Sequence, residues 1–294
     1  MATDAKERNL EEDIEAYLTS EEGGWLKASD RQSFIYVEDG TYQVLEGHGY
    51  SDMLGHGIDI ATLVNYVQTT QPKTWGLFEK RCKTADPKRM FFKAFQDAVS
   101  HDGILHVLKH GFKHRGLKFK VVEFRPESGL NPRTEALYQK NCLRCIRQFH
   151  YSATETRNTV DMVLDVNGIP LVALELKDQF TGQTYEDAIR QWKLDRNPRE
   201  ESFRFDSRVV AFLAVDLSQA WVATELKGED TYFLPFNQGS NGPGIDGGAG
   251  NPPNPEGYQT SYLWENVLQA DSLLDILNRY EHVEEKQETF IDAD

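Results

Sequence analysis

Short apolar runs separated by turn residues fill the second half of the chain, and they predict strands. Asn167-Gly168 lies between two of these runs, and this dipeptide is typical of a β-hairpin turn. The predicted strands are 143–150, 159–166, 169–176, 208–215 and 220–224, and alternation in 117–124 predicts one more.

Apolar residues at helical spacing predict helices before, between and after these strands. In the first helix, Leu10, Ile14 and Leu18 would face a core. The predicted helices are 9–20, 88–100, 132–140, 183–196 and 262–280. Helices and strands in this order predict an α/β fold in which helices flank a mixed central sheet.

The composition is typical of a globular protein. Of the 294 residues 39% are hydrophobic, which is enough for a large core. No apolar stretch approaches the length of a membrane span, and the N-terminus lacks the features of a secretory signal. Three cysteines are too few for a disulfide scaffold and are typical of a reducing compartment. We therefore expect a cytoplasmic protein that does not bind membranes.

The formal net charge of -15 is unevenly distributed. The overall sign argues against a protein that coats nucleic acid without specificity, yet residues 73–147 carry a net charge of +10. This basic segment predicts contacts with DNA phosphates, and the alternative is a solvated face that complements acidic neighbours. The candidate DNA-binding residues are Lys109, Lys113, Arg115 and Lys118.

The predicted hairpin carries the most specific chemistry. Asp161 lies on its first strand, and Glu175 and Lys177 project together at the end of its second strand, because strand residues two apart share a face. Two carboxylates at a sheet edge are the oxygen ligands that Mg²⁺ prefers, and a lysine supplies positive charge to a phosphate under attack. The sequence therefore predicts metal-assisted phosphodiester hydrolysis, and ordinary polar strand ends are the alternative.

Strand register provides a check on this metal site. If Asn167-Gly168 were a plain two-residue turn, Asp161 would lie opposite Leu174, and Glu175 would project from the other face of the sheet. The metal site therefore predicts a bulge or a longer loop in the hairpin.

Three other patterns are weaker candidates. Cys142 and Cys145 have the spacing of a zinc or redox pair, but no second pair accompanies them, so we expect structural thiols. The four histidines in 101–114 lie among lysines, which favours a DNA-facing or solvated loop over a metal cluster. The Gly- and Pro-rich loop 237–257 lacks the Gly-Lys-Ser/Thr ending of a phosphate-binding loop.

The block RQFHYSATETRNTVDMVLDVNGIPLVALELK at 147–177 closely resembles the nuclease core of the R subunit of type I restriction endonucleases, which are members of the PD-(D/E)xK nuclease superfamily. Similar segments occur along the chain, so that the resemblance extends from about residue 8 to 283. They include GILHVLKHGFK at 103–113, LPFNQG at 234–239, GAGNPPNPEGYQTSYLWENVL at 248–268 and DSLLDILNRY at 271–280.

The resemblance implies roles for the hairpin residues. Asp161 and Glu175 would be the metal-binding carboxylates, the Leu176 carbonyl a further ligand of Mg²⁺, and Lys177 the catalytic lysine. Accessory residues are implied by the same family. They are the pair Arg147 and Gln148 on the preceding strand, Gln191 of a Gln-x-x-x-Tyr motif in which Asp195 replaces the tyrosine, and an acidic residue of the first helix, Glu12 or Glu15.

The resemblance also implies a domain organisation. Residues 1–282 would form the endonuclease domain, with the catalytic core at about 143–225 and C-terminal helices at 262–280, and 283–294 would be a linker toward an ATP-dependent motor. The chain contains no Walker A motif, so ATP would serve only the full-length subunit.

The expected activity is Mg²⁺-dependent cleavage of double-stranded DNA after translocation by that motor. The expected partners are the methylation and specificity subunits of a restriction-modification complex. Two alternatives are a catalytically silent docking module that links motor and methylase core, and a DNA-repair nuclease of the same superfamily.

Overall fold

The computed structural model describes residues 4–38, 40–83, 85–126, 131–178 and 182–279. The linker predicted at 283–294 lies outside these residues, and the domain boundary at 282 stays a prediction. No helix in these ranges is long and apolar enough to cross a membrane.

A seven-stranded mixed sheet forms the centre of the fold, as predicted. Its strands are β1 (Leu26–Ala28), β6 (Leu143–His150), β7 (Thr159–Val166), β8 (Ile169–Leu176), β9 (Ala211–Val215), β10 (Ala220–Ala223) and β11 (Leu234–Pro235). Their order in the sheet is β1-β6-β7-β8-β9-β10-β11. The pairs β1–β6 and β8–β9 are parallel, and the other pairs are antiparallel.

Helices cover both faces of this sheet. They are α1 (Asp4–Leu18), α2 (Ile60–Thr70), α3 (Pro72–Cys82), α4 (Pro87–Asp102), α5 (Ile104–His110), α6 (Pro132–Tyr138), α7 (Tyr185–Leu194) and α8 (Ala270–Arg279), with a 3₁₀ helix at Gly49–His56. One hydrophobic cluster packs helices α1, α2, α3, α4, α5 and α8 against one face of the sheet. A second cluster, which includes Trp192 of α7, covers the other face. The fold class predicted from the order of elements is confirmed.

Two small hairpins lie outside the central sheet, and of their four strands the sequence patterns predicted only one, which is the first part of the segment 117–124. They are β2 (Gln32–Glu38) with β3 (Thr41–Glu46), and β4 (Phe112–His114) with β5 (Leu117–Phe119). The strand predicted at 117–124 is therefore wrong beyond Phe119. The backbone after it bonds to side chains instead, since Gln71 accepts from the Lys120 N–H at 3.0 Å and Asn167 donates to the Val121 carbonyl at 2.9 Å.

The helix predicted at 262–280 is interrupted. A π-helical turn spans Leu263–Val267, closed by a 2.8 Å bond from the Leu268 N–H to the Leu263 carbonyl, and α8 begins at Ala270. The Ala270 N–H donates to the Gly23 carbonyl at 2.9 Å, which connects the interruption to the turn that follows α1.

The strand predicted at 208–215 is shorter than expected, because β9 begins only at Ala211.

A buried ion-pair network anchors the turn of the β7–β8 hairpin. Arg144 of β6 lies between Asp59 at 2.8 Å and Asp165 at 2.7 Å, and all three side chains are completely buried. Asp59 caps α2 and donates its N–H to the Gly168 carbonyl at 2.9 Å, while Tyr50 donates to Asp165. The network therefore fixes the hairpin against α2.

Candidate active site

A β-bulge sets the register of the hairpin that carries the candidate catalytic residues. Val166 pairs with Ile169 across the two-residue turn, but the register shifts so that Leu164 pairs with Val172, and Leu171 is the extra residue. Continuing from the pair Met162–Leu174, Asp161 lies opposite Glu175, and opposite residues of an antiparallel pair share a face. The predicted bulge is confirmed.

Glu175 is a buried carboxylate with one free oxygen. Its side chain is 0% exposed, and Oε1 accepts from Arg196 Nε at 2.7 Å. Oε2 is also buried, and it has no hydrogen-bond partner in the described part of the chain. Because buried polar atoms are nearly always bonded, this oxygen is a candidate to bind a ligand. Burial is the largest cause and repulsion from Asp161 the second of a pKa of Glu175 that is held well above its usual value.

Asp161 and Lys177 lie beside this carboxylate. Asp161 is half-buried, and its Oδ2 accepts from the Leu176 N–H at 2.7 Å. Lys177 is 8% exposed, and its N–H donates to the Val215 carbonyl of β9 at 2.8 Å. Its ammonium charge is close enough to Glu175 to lower the pKa of that carboxyl. The structure thus brings Asp161, Glu175 and Lys177 together.

A kink in β6 adds a third acidic side chain to this cluster. Gln148 has a φ of +50°, rare for a residue with a side chain, so that Arg147 and Gln148 reach the same partner instead of opposite faces. That partner is Glu11 of α1, which accepts from Gln148 Nε2 at 3.0 Å and from Arg147 Nε and Nη2 at 3.1 Å each. Burial and then repulsion from Asp161 raise the pKa of Glu11.

Glu11 is the first-helix acid beside Asp161, whereas the sequence pointed to Glu12 or Glu15. The Glu12 side chain is 58% exposed and lies 3.9 Å from Arg147. Glu15 is buried and pairs with Lys27 at 2.5 Å and with Arg147 at 3.5 Å. Glu11 is instead the acid whose pKa is raised by burial and then by Asp161. The apolar stripe of α1 could have identified Glu11: at about 100° per residue, Glu11 flanks the face of Leu10 and Ile14, and Glu12 lies on the far side.

Gln191 makes no hydrogen bond to the cluster in the part of the chain that is described. It is half-buried on α7, and its side chain makes no hydrogen bond to Asp161, Glu175 or Lys177 within the described ranges. The residue that reaches the site from the end of this helix is Arg196, which the sequence patterns missed. The sequence pattern gave little indication of this role, because an arginine that follows the predicted end of a helix is usually solvated.

The donors present fit a hard, oxygen-binding cation. Asp161 and the free oxygen of Glu175 are carboxylates, and the Leu176 carbonyl lies between Glu175 and Lys177 in sequence. Among the described residues no three His, Cys, Asp or Glu side chains come together as a complete metal site. Mg²⁺ suits such an arrangement, because it is usually bound by one or two carboxylates and completes its shell with waters and substrate phosphate.

The candidate DNA-binding residues lie on α5 and the β4–β5 hairpin. Lys113 and Lys118 face each other across the hairpin, and Arg115 is in its turn. Lys109 lines a cavity of about 750 Å³ with His101, His106 and His110, and the same histidines line a second cavity of about 450 Å³. His106 and His110 lie on helix α5, not on a loop, with ring centroids 4.5 Å apart.

The cysteines are buried thiols, as expected. Cys82, Cys142 and Cys145 form no disulfide, and burial raises the pKa of each thiol. They therefore provide neither a zinc pair nor a reactive thiolate.

Comparison with known proteins connects this geometry to a family. Residues 42–239 match the family described as Type I restriction enzyme R protein N terminus, and this range includes the bulged hairpin and α7. No curated protein matches the chain closely enough to count as a relative. Because the match spans about two thirds of its residues, the chain belongs to the family of type I restriction enzyme R protein N-terminal domains.

Proposed function

We propose that this chain is the endonuclease part of a type I restriction enzyme R subunit and hydrolyses phosphodiester bonds in double-stranded DNA with Mg²⁺. The observation that carries the proposal is the bulged hairpin, which sets Asp161 opposite Glu175 and leaves one buried Glu175 oxygen without a partner. The order Asp, Glu-x-Lys on adjacent strands is typical of the PD-(D/E)xK superfamily, to which we assign the domain.

Each side chain has a defined part in this chemistry. Asp161, Glu175 and the Leu176 carbonyl would hold the metal ion, which when bound supplies a Lewis acid for the phosphate and acidifies its bound water. Lys177 holds a positive charge beside the two carboxylates, where it stabilises negative charge that develops on the attacked phosphate. Arg147 and Gln148 fix Glu11 next to Asp161.

The restriction-enzyme family provides the setting for this activity. In the full-length R subunit an ATP-dependent motor would deliver DNA to the site, and methylation and specificity subunits would choose where the complex binds. Lys109, Lys113, Arg115 and Lys118 would contact DNA phosphates, since basic side chains supply sequence-independent binding. We place this assembly in the cytoplasm.

Replacement of Lys177 tests the proposal. In a full-length R subunit assembled with its partners, Lys177→Ala should reduce DNA cleavage by about 100-fold or more, because one preorganised charge at the reacting phosphate is lost. ATP hydrolysis on the same DNA should be unchanged, and the matched variant Lys73→Ala, in an exposed lysine of α3, should cleave normally. If Lys177→Ala cleaves as fast as the unmodified enzyme, the docking module becomes the better explanation.

The first-helix acids give a second test. Glu11→Gln should lower the cleavage rate about 10-fold, because Arg147 and Gln148 hold Glu11 next to Asp161. Loss of a residue that supports a metal ligand typically lowers activity by roughly 10–100-fold. Glu12→Gln, one residue away and largely exposed, is the control and should leave the rate unchanged. Equal rates for the two variants would remove Glu11 from the site.

A further inference from the structure

Arg196 lies at the point where three strand ends of the central sheet meet. Its Nη2 donates to the Thr159 carbonyl at the start of β7 at 2.8 Å, and its Nη1 approaches the Tyr151 hydroxyl, just after β6, at 3.4 Å. The guanidinium also lies over the Tyr151 ring, 5.5 Å from its centroid. Only 8% of Arg196 is exposed, so its planar group is held from several sides.

The contact between Arg196 and Glu175 is asymmetric. An arginine that pairs with a carboxylate commonly bonds both of its oxygens through two parallel N–H groups. Here Nε at 2.7 Å and Nη2 at 2.6 Å both approach the same oxygen, Oε1 of Glu175. The second oxygen, Oε2, is buried and has no partner among the residues described.

This asymmetry has a chemical consequence. A completely buried carboxylate requires a positive partner, and Arg196 provides one without covering both oxygens. The contacts to Thr159 and Tyr151 prevent the guanidinium from rotating into the usual two-oxygen pairing. Arg196 therefore holds Glu175 in a fixed orientation, with one oxygen available to a second cation.

We propose that Arg196 is a positioning residue for Glu175, and that it holds Oε1 so that Oε2 is left free to bind a divalent cation. The proposal rests on the proposed function, because it takes Glu175 to be a metal ligand. It assigns to an arginine at the end of α7 the orienting role that a second layer of hydrogen-bond donors has around metal-binding carboxylates.

Lysine cannot reproduce this arrangement. Arg196 uses Nε and Nη2 together on one oxygen while Nη2 also bonds a carbonyl, and this requires the rigid planar fork of a guanidinium. A lysine ammonium would supply the charge but not the fixed orientation. The Arg196→Lys variant therefore separates orientation of Glu175 from simple neutralisation of its charge.

Binding of Mn²⁺ tests the proposal without reference to cleavage. Mn²⁺ would be titrated into the unmodified 294-residue chain and into Arg196→Met, Arg196→Lys and Glu175→Gln, with free Mn²⁺ followed by its electron paramagnetic resonance signal. We expect Arg196→Met to weaken binding about 10-fold or more, and Arg196→Lys to weaken it by a smaller but measurable factor. Arg190→Met, in an exposed arginine of helix α7, is the control and should bind normally.

The outcomes distinguish a failure of this proposal from a failure of the proposed endonuclease function. If Glu175→Gln loses Mn²⁺ but Arg196→Met binds it as tightly as the unmodified chain, Arg196 has only a structural role and the inference is wrong. If Glu175→Gln itself binds normally, the metal site and the proposed function fail instead. Should Arg196→Met not fold, as judged from its melting temperature, Arg196→Lys decides alone, and unchanged affinity in that variant overturns the proposal.

Discussion

Loss of both site carboxylates should reduce DNA cleavage by roughly 10⁴-fold in the assembled enzyme. The double variant Asp161→Asn, Glu175→Gln keeps the shape of both side chains but removes the two negative charges that would hold the metal ion. A metal ion contributes several kcal/mol to such hydrolysis, and each 1.4 kcal/mol corresponds to about tenfold in rate. Product formation on a plasmid substrate under saturating Mg²⁺ measures the effect.

Two controls make this result specific. ATP hydrolysis by the same preparation should equal that of the unmodified enzyme, because the two carboxylates belong to the proposed nuclease site and not to the proposed motor. The variant Glu186→Gln, Asp195→Asn removes two exposed acids from the α7 region and should cleave at the normal rate. Cleavage by the double site variant within tenfold of normal would contradict the assignment of the hairpin as the active site.

Replacement of Arg144 should have the largest effect on stability. Arg144→Met should lower the free energy of unfolding by about 4 kcal/mol, because it leaves the buried carboxylates Asp59 and Asp165 without their shared cation. The network also fastens the hairpin turn to α2 through Gly168, so loss of the arginine should loosen the support of the catalytic strands. Urea unfolding of the 294-residue chain gives the free energy directly.

Arg208 provides the matched control for this experiment. It is equally buried, but its Nε and Nη2 have no hydrogen-bond partner among the described residues, and its closest carboxylate, Glu201, lies at 3.7 Å. Arg208→Met should therefore lower the free energy of unfolding by less than half as much as Arg144→Met does, since the unbonded buried donors of Arg208 already destabilise the folded state. An equal decrease in the free energy of unfolding for the two variants would mean that packing alone, rather than the ion pairs, accounts for the effect at Arg144.

The parts of the fold that were predictable are those with strong apolar periodicity. Strands β6, β7 and β8 were located to the residue, because each is rich in apolar residues, and Asn167-Gly168 marks the turn between β7 and β8. The β2–β3 hairpin was missed, since its strands mix polar and apolar residues and lie outside the main sheet. The strand predicted beyond Phe119 was wrong because side chains distant in sequence bond the backbone there.

The same distinction applies to the candidate site. Asp161, Glu175 and Lys177 share one hairpin, so their proximity and the need for a bulge followed from local geometry. Glu11 comes from a helix distant along the chain and Arg196 from the segment that follows α7, and no local pattern specifies where either side chain meets the sheet. Their positions required the tertiary packing of α1 and α7.

The bulge at Leu171 has a consequence for how this chemistry is inherited. A gene that lost only that codon would encode a regular hairpin in which Asp161 still lies opposite Glu175, because all the pairs beyond the bulge would keep their partners. A gene that gained one codon between Val172 and Leu174 would keep all three site residues, yet it would move Asp161 and Glu175 to opposite faces of the sheet. The register between the two carboxylates, and not only their identity, is what natural selection must preserve in a descendant with the proposed activity.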